Sequence, residues 1–112
     1  MNKGAKNSQK KNKKEFSKNS GKKIPDEIIL EEKTEILKAI SDITRLKILF
    51  LLKNGEMCSC NIETELNKPQ PTISHHINIL RKSKIIQGRK EGTLNYYSIS
   101  NPIVLDILDR II

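Results

Sequence analysis

The chain has no tryptophan and only two tyrosines and two phenylalanines. Proteins that grip single-stranded nucleic acid stack its bases on aromatic rings, and this sequence offers almost none. Cysteine is nearly as scarce. Cys58 and Cys60 are the only two, too few for the disulfide framework of a secreted domain, so a reducing, cytoplasmic compartment is expected. No apolar run reaches the roughly 20 residues that a bilayer requires, and the first residues lack the apolar stretch of a signal peptide. No membrane partner is expected. Nor do a nucleophile, a base and an orienting side chain form a recognisable set. A Cys58–His75 couple would have to work across a face assigned below to another task, so no enzymatic activity is expected.

Acid is missing from one stretch in particular: between Lys68 and Lys90 there are six bases and no Asp or Glu. The 112-residue chain carries a formal charge of +8 and is one domain at most. Its charge is uneven. Residues 1–25 hold nine lysines against Glu15 alone, whereas residues 26–112 hold twelve bases and twelve acids. Within that body, residues 26–65 carry nine acids and five bases. One end is acidic and the other basic, the asymmetry that a phosphate-binding face requires. The Lys-rich segment 1–25 has a single Phe16 and no apolar period. It buries too little to offset its chain entropy and is expected to be a disordered tail, acting as a solubilising extension or adding weak, salt-sensitive contacts to DNA phosphates. Residues 26–112 are expected to form the folded domain.

Apolar spacing predicts the elements of that domain. A first helix over residues 26–40 has Ile29, Ile36 and Ile40 on one side with Leu30 and Leu37 beside them. Asp42 is a good N-cap for a second helix over 43–52, apolar nearly all round and therefore central. Asn54-Gly55 ends it. A short third helix over 59–66 turns Ile62 and Leu66 inward, and Asn67 and Pro69 make the turn that follows. A hairpin is expected next, rising at Ile85-Ile86, turning at Glu91-Gly92 and returning from Thr93 to Ile99, with Tyr97 and Ile99 sharing a face with Thr93 and Asn95. Pro102 begins a last helix with a wide stripe of Ile103, Val104, Ile107, Leu108, Ile111 and Ile112. An 87-residue body has a small core to satisfy, so the rich first and last helices imply a homodimer held by both.

Residues 68–86, Lys-Pro-Gln-Pro-Thr-Ile-Ser-His-His-Ile-Asn-Ile-Leu-Arg-Lys-Ser-Lys-Ile-Ile, are the most telling. Proline is tolerated in a first helical turn because its missing N–H has no partner there. Ile73, Ile77 and Leu80 form a buried keel. His75, Asn78 and Lys82 lie opposite, flanked by Ser74 and Arg81, so the helix presents a polar and cationic face to a groove of duplex DNA. His76 lies nearer the keel than His75, and packing is its expected role.

The order of these segments resembles the ArsR/SmtB family of winged helix-turn-helix repressors. The resemblance covers about residues 35–100 and rests on Leu37-Lys38-Ala39-Ile40-Ser41-Asp42, Thr44-Arg45-Leu46-Lys47-Ile48-Leu49, Gln70-Pro71-Thr72-Ile73-Ser74-His75-His76-Ile77 and Arg89-Lys90-Glu91-Gly92 with Tyr96-Tyr97-Ser98-Ile99. Ile43, where the family often has proline, and Pro69, in place of a common serine, depart from it. The resemblance implies a mainly α fold with a small β-hairpin, a homodimer on a double-stranded operator, and release when an inducer binds. It implies base-edge and phosphate contacts from Gln70, Thr72, Ser74, His75 and Asn78, and backbone positioning by Arg81, Lys82, Arg89 and Lys90.

Family resemblance also directs attention to Cys58 and Cys60, since cysteines similarly placed in relatives ligate thiophilic metal or metalloid ions. Two residues apart on a helix diverge by about 200° and cannot share an ion, while extended backbone puts them on one side. An ion holding both sulfurs is therefore expected to oppose helical geometry at the start of the third helix. A helix N-terminus favours the thiolates that ligation needs. The set is incomplete: Glu63 stands where a third cysteine is wanted, Asn61 where some relatives have a carboxylate, and the last helix has Asp106 and Asp109 but no histidine. Glu63, solvent or an external thiol would have to finish the coordination. Three uses of the pair stay open: a thiophilic inducer site, an oxidation switch, or packing with no sensory role. For the chain as a whole, a sequence-specific repressor competes with a general nucleic-acid module driven by the polybasic tail.

Overall fold

The computed structural model describes residues 23–112, so nearly all of the Lys-rich tail lies outside the described residues. The chain divides into two units at Glu35/Ile36, inside the first helix. That helix, α1 (Glu27–Ile40), opens on Asp26, whose Oδ1 accepts the Ile28 N–H at 3.0 Å, and carries Glu27 in its first turn and Lys38 in its last, the charge order its dipole favours. Ile29, Leu30 and Leu37 are exposed, while Ala39 and Ile40 are buried.

The unit from Ile36 onward contains the core. Asp42 stands in extended backbone and its Oδ2 accepts the Arg45 N–H at 3.0 Å, the N-cap expected for α2 (Ile43–Leu52). Ile48, Leu49 and Leu52 of α2 are buried, as its nearly all-round apolar sequence requires. A two-residue strand follows, β1 (Met57–Cys58), and runs directly into α3 (Ser59–Leu66). Asn67 closes α3 in the left-handed region at φ 53°. Then comes α4 (Gln70–Lys82), with Pro71 in its first turn and Ile73, Ile77 and Leu80 buried, the keel that the spacing predicts.

The end of α4 is shaped by the backbone. Lys84 takes a left-handed φ of 61°. Its N–H donates to the Arg81 carbonyl at 2.9 Å and the Ile85 N–H to the Leu80 carbonyl at 3.0 Å. This pair of bonds is a Schellman cap, and the hydrophobic contact that goes with one comes from Leu80 and Ile85, both fully buried. Lysine occupies the position where glycine is usual, at the steric expense of a Cβ in that region.

The cap launches β2 (Ile86–Glu91), which pairs antiparallel with β3 (Leu94–Ile99). The tip is Gly92-Thr93, one residue beyond the expected Glu91-Gly92. Gly92 sits at φ 62° as the first central residue of a two-residue hairpin turn, a place that glycine fills without strain. β3 is the middle strand of the sheet, order β1-β3-β2. β1 has no counterpart in the sequence-based expectation, because a two-residue strand carries no period to detect. Last, α5 (Pro102–Ile111) is capped by the Asn101 carboxamide, which accepts the Ile103 N–H. Val104 and Leu108 of α5 are buried, whereas Ile103, Ile111 and Ile112 are exposed. Lys53 and Asp109 pair at 2.7 Å between the end of α2 and α5.

Candidate nucleic-acid interface

The outer surface of α4 follows from its keel. With Ile73, Ile77 and Leu80 turned inward, Gln70, His75, Asn78, Arg81 and Lys82 are exposed and Thr72 and Ser74 are half-buried. Gln70 Nε2 donates to Ser74 Oγ at 2.7 Å across one turn, so the two form one polar unit. At 100° per residue, Asn78, Arg81 and Gln70 lie within about 40° of Ser74 around the helix, while Thr72 lies about 160° away. Gln70, Ser74, Asn78 and Arg81 therefore make one strip, and Thr72 stands apart from it at the first turn.

His76 does more than pack. It is half-buried, and its Nδ1 accepts a hydrogen bond from Arg45 Nη1 at 2.9 Å, with Asp42 Oδ2 at 3.8 Å. Arg45 Nε in turn donates to the Ala39 carbonyl at 2.6 Å. Burial, chiefly, holds the His76 pKa below its ordinary value, with Arg45, His75 and Lys68 adding to the effect and Asp42 opposing it. A neutral ring with an unprotonated Nδ1 is the form that can accept from a guanidinium. Asp42 is held low first by the Arg45 backbone N–H and then by the Arg45 and His76 charges. Thus α4 is clamped to the α1–α2 junction by one polar triad. Arg45 and His76 are 31 residues apart, and no local pattern announces their meeting.

The hairpin sorts its two cations onto opposite faces. Neighbouring residues of a strand point opposite ways, and directly paired residues share a face. Lys90 pairs with Asn95, and Gly88 with the buried Tyr97, on the side that packs toward α4; Arg89 pairs with Tyr96 on the other side. A Cβ on Gly88 would lie 2.7 Å from Tyr97 Cε1, so this glycine lets the tyrosine ring cross the strand. The Arg81 guanidinium stands 6.0 Å from the Tyr97 ring centre, at the limit of a cation–π contact. Between the end of α4 and the hairpin lies an open cavity of about 150 Å³ lined by Arg81, Gly88, Arg89, Lys90, Asn95 and Tyr97. Arg81 and Lys90 give it the charge to seat an anion. Asn95 and Tyr97, which strand alternation places on one face, join this rim although neither is among the expected DNA-contacting residues.

Arg89 is committed elsewhere. Its Nε and Nη2 donate to the two carboxylate oxygens of Glu56 at 2.7 Å each, its Nη1 donates to Glu91 at 2.8 Å, and its guanidinium lies 4.7 Å over the Tyr96 ring. These hydrogen bonds hold the Arg89 pKa above its ordinary value and the Glu56 pKa below.

The cysteines meet. Cys58 is the N-cap of α3, with extended φ −69° and ψ 142°, and its Sγ accepts the Cys60 N–H at 3.3 Å. Because Cys58 stands before the first helical residue, the 200° divergence expected of two helical positions does not apply. The Cα atoms are 5.3 Å apart and the two sulfurs form a disulfide. Cys58 is buried and Cys60 exposed. Glu63 does not complete a donor set with them, for no group of three or more His, Cys, Asp or Glu side chains suited to a metal occurs among the described residues. Two sulfurs match a soft ion's preference but leave its coordination unfinished.

A keeled helix behind a capped turn, followed by a hairpin whose helix-facing side is cationic, defines a winged helix-turn-helix DNA-binding protein. The family model for bacterial regulatory proteins of the arsR family matches residues 42–87. An HTH-type transcriptional regulator of Methanocaldococcus jannaschii is 57% identical over 79 residues, 70% of this chain and 89% of that protein. The arsenical resistance operon repressor of Staphylococcus aureus is 37% identical, over 72% of this chain and 78% of its own. The homodimeric winged helix-turn-helix domain of a possible ArsR-family regulator of Mycobacterium bovis superposes with a TM-score of 0.70 at 28% identity, over 75% of this chain and 78% of that one. This chain belongs to the ArsR family of transcriptional regulators. No helix among the described residues is long and apolar enough to cross a membrane.

Proposed function

We propose that the chain represses transcription by binding a double-stranded operator as a homodimer, and that the Cys58–Cys60 pair controls its hold on DNA. The dimer is supported by the homodimeric M. bovis neighbour and by the exposed Ile103 and Ile111 of α5 with Ile112 just beyond it, an apolar surface that a second copy would cover. Gln70, Ser74, His75 and Asn78 supply base-edge contacts, with Thr72 at the first turn. Arg81, Lys82 and Lys90 hold backbone phosphates, which positions the helix without reading sequence.

The observation that carries control by thiols is the meeting of both sulfurs in β1 and the first turn of α3, beside the hairpin. Two inputs fit that arrangement. Oxidation converts two thiols to the disulfide by loss of two protons and two electrons, which a peroxide accepts to leave as two waters; the sulfur–sulfur bond favours this input. A thiophilic metal or metalloid ion bound by both thiolates is favoured by the S. aureus relative's name.

The test is a titration of the reduced protein on the DNA upstream of its own gene with peroxide, As(III), Cd(II) and Zn(II), repeated with Cys58→Ser and Cys60→Ser. Loss of DNA affinity in the wild type but not in the serine variants is expected. An equal response in all three proteins, or none in the wild type, refutes control by the pair. Excess random DNA is the second arm: a repressor retains its operator, whereas a module driven by the tail's charge does not.

A further inference from the structure

Arg89 is the only arginine of the hairpin, yet its guanidinium faces two carboxylates. Three of its five N–H groups are taken by Glu56 and Glu91, and the Tyr96 ring covers one of its faces. The cluster of one cation and two anions has a net charge of −1. A DNA phosphate approaching it meets repulsion, so this side of the wing does not attract the backbone while both carboxylates stay in place. Glu91 belongs to the hairpin and moves with Arg89. Glu56 does not: it lies in the segment entering β1, 33 residues away in sequence.

We propose that Glu56 is a positioning residue that locks Arg89 away from DNA, so that the wing gains a phosphate contact only when the Glu56–Arg89 pair opens. The lock is built to yield. Both partners are exposed, Arg89 by 51% and Glu56 by 35%, and solvent screens an exposed pair far more than a buried one. The bidentate fork gives it definite geometry, while a phosphate can bind the same fork equally well. Its place in the chain gives the lock a control point, since Glu56 is two residues from Cys58 and β1 holds Cys58 opposite Tyr96, the ring on which Arg89 rests. The inference rests on the proposed DNA face, but it is read as a ratio between variants on any duplex that binds, whereas the proposed function fails only if operator preference is missing.

The test compares the full-length wild type with Glu56→Gln, Glu56→Asp, Arg89→Ala and the Glu56→Gln/Arg89→Ala double variant, by fluorescence anisotropy on a labelled duplex across a series of salt concentrations. Glu56→Gln is expected to bind about fivefold more tightly, the upper end for an exposed pair. Its log–log salt slope is expected to steepen by about 0.9, the signature of one added phosphate contact. Glu56→Asp, which keeps the charge, should stay near the wild type. In the Arg89→Ala background the gain from Glu56→Gln should shrink to less than half. Weaker or unchanged binding by Glu56→Gln overturns the proposal. So does an equal gain with and without Arg89, which would make Glu56 a mere contributor of bulk charge.

Discussion

Replacing Gly88 by alanine tests whether the Tyr97 ring shapes the wing. Gly88 has no left-handed backbone to protect, so its reason for being glycine is space. In an ordinary strand interior, Gly→Ala gains roughly 0.5–1 kcal/mol by reducing the freedom of the unfolded chain. Here the added Cβ falls 2.7 Å from Tyr97 Cε1 and 3.0 Å from Cδ1, and the ring is only 8% exposed, with little room to swing aside. Overpacking of this kind costs about 1–3 kcal/mol. The penalty outweighs the gain, and the net expectation is a loss of about 1–2 kcal/mol. For a domain of this size each kcal/mol moves Tm by about 4–8 °C. Thermal unfolding at fixed protomer concentration, which holds any dimer contribution constant, should therefore show a drop of roughly 5–15 °C. The clash is removed by Tyr97→Leu, so adding Gly88→Ala to that variant should cost nothing or stabilise it, a coupling that a double-mutant cycle measures. A Gly88→Ala protein as stable as the wild type refutes the reasoning, because it means that the ring does not confine this position.

Two further outcomes follow from packing and protonation. His76 has a depressed pKa in the folded protein, so below its ordinary value of 6.5 the unfolded chain takes up a proton that the folded one resists; stability is full above that pH and falls as pH descends toward the folded value. Denaturant unfolding at about pH 7.5 and 5.5 should show a loss that His76→Gln, which keeps an acceptor for Arg45, largely removes; equal losses in the two proteins exclude His76 as the cause. Charging the outer stripe of α5 with Ile103→Glu and Ile111→Glu together should leave the monomer folded, because both side chains are more than half exposed, and should convert a dimer to monomers in sedimentation velocity; an unchanged dimer would mean that α5 is not part of the contact.

The helices were legible because each has its own internal period. The keel of α4, the Asp42 cap and the limits of α3 could all be read from local spacing, and the left-handed turn at Asn67 from the tolerance of its side chain for that geometry. Long-range meetings were not legible. Nothing around Glu56 announces Arg89, and nothing around Arg45 announces His76, for ion pairs and hydrogen bonds across 30 residues leave no local period. Arg89 and Lys90 illustrate an intermediate case. As neighbouring bases they invite a single shared task, yet strand alternation, visible in the sequence, already divides them between two faces. The limits of α3 already leave Cys58 outside the helix and Cys60 within it; what local spacing does not give is the capping geometry that turns the Cys58 sulfur back over the first turn.

The shortest strand has the largest reach. With only two residues, Met57 and Cys58, laid against Tyr97 and Tyr96, β1 splices the entrance of α3 into the hairpin. Under the proposed control by the cysteine pair, an event at Cys58 reaches the hairpin directly through its pairing with Tyr96, without first being relayed through packed helices. Two ladder residues are a thin seam, and they are the stitch by which the entrance of α3 and the hairpin share one sheet.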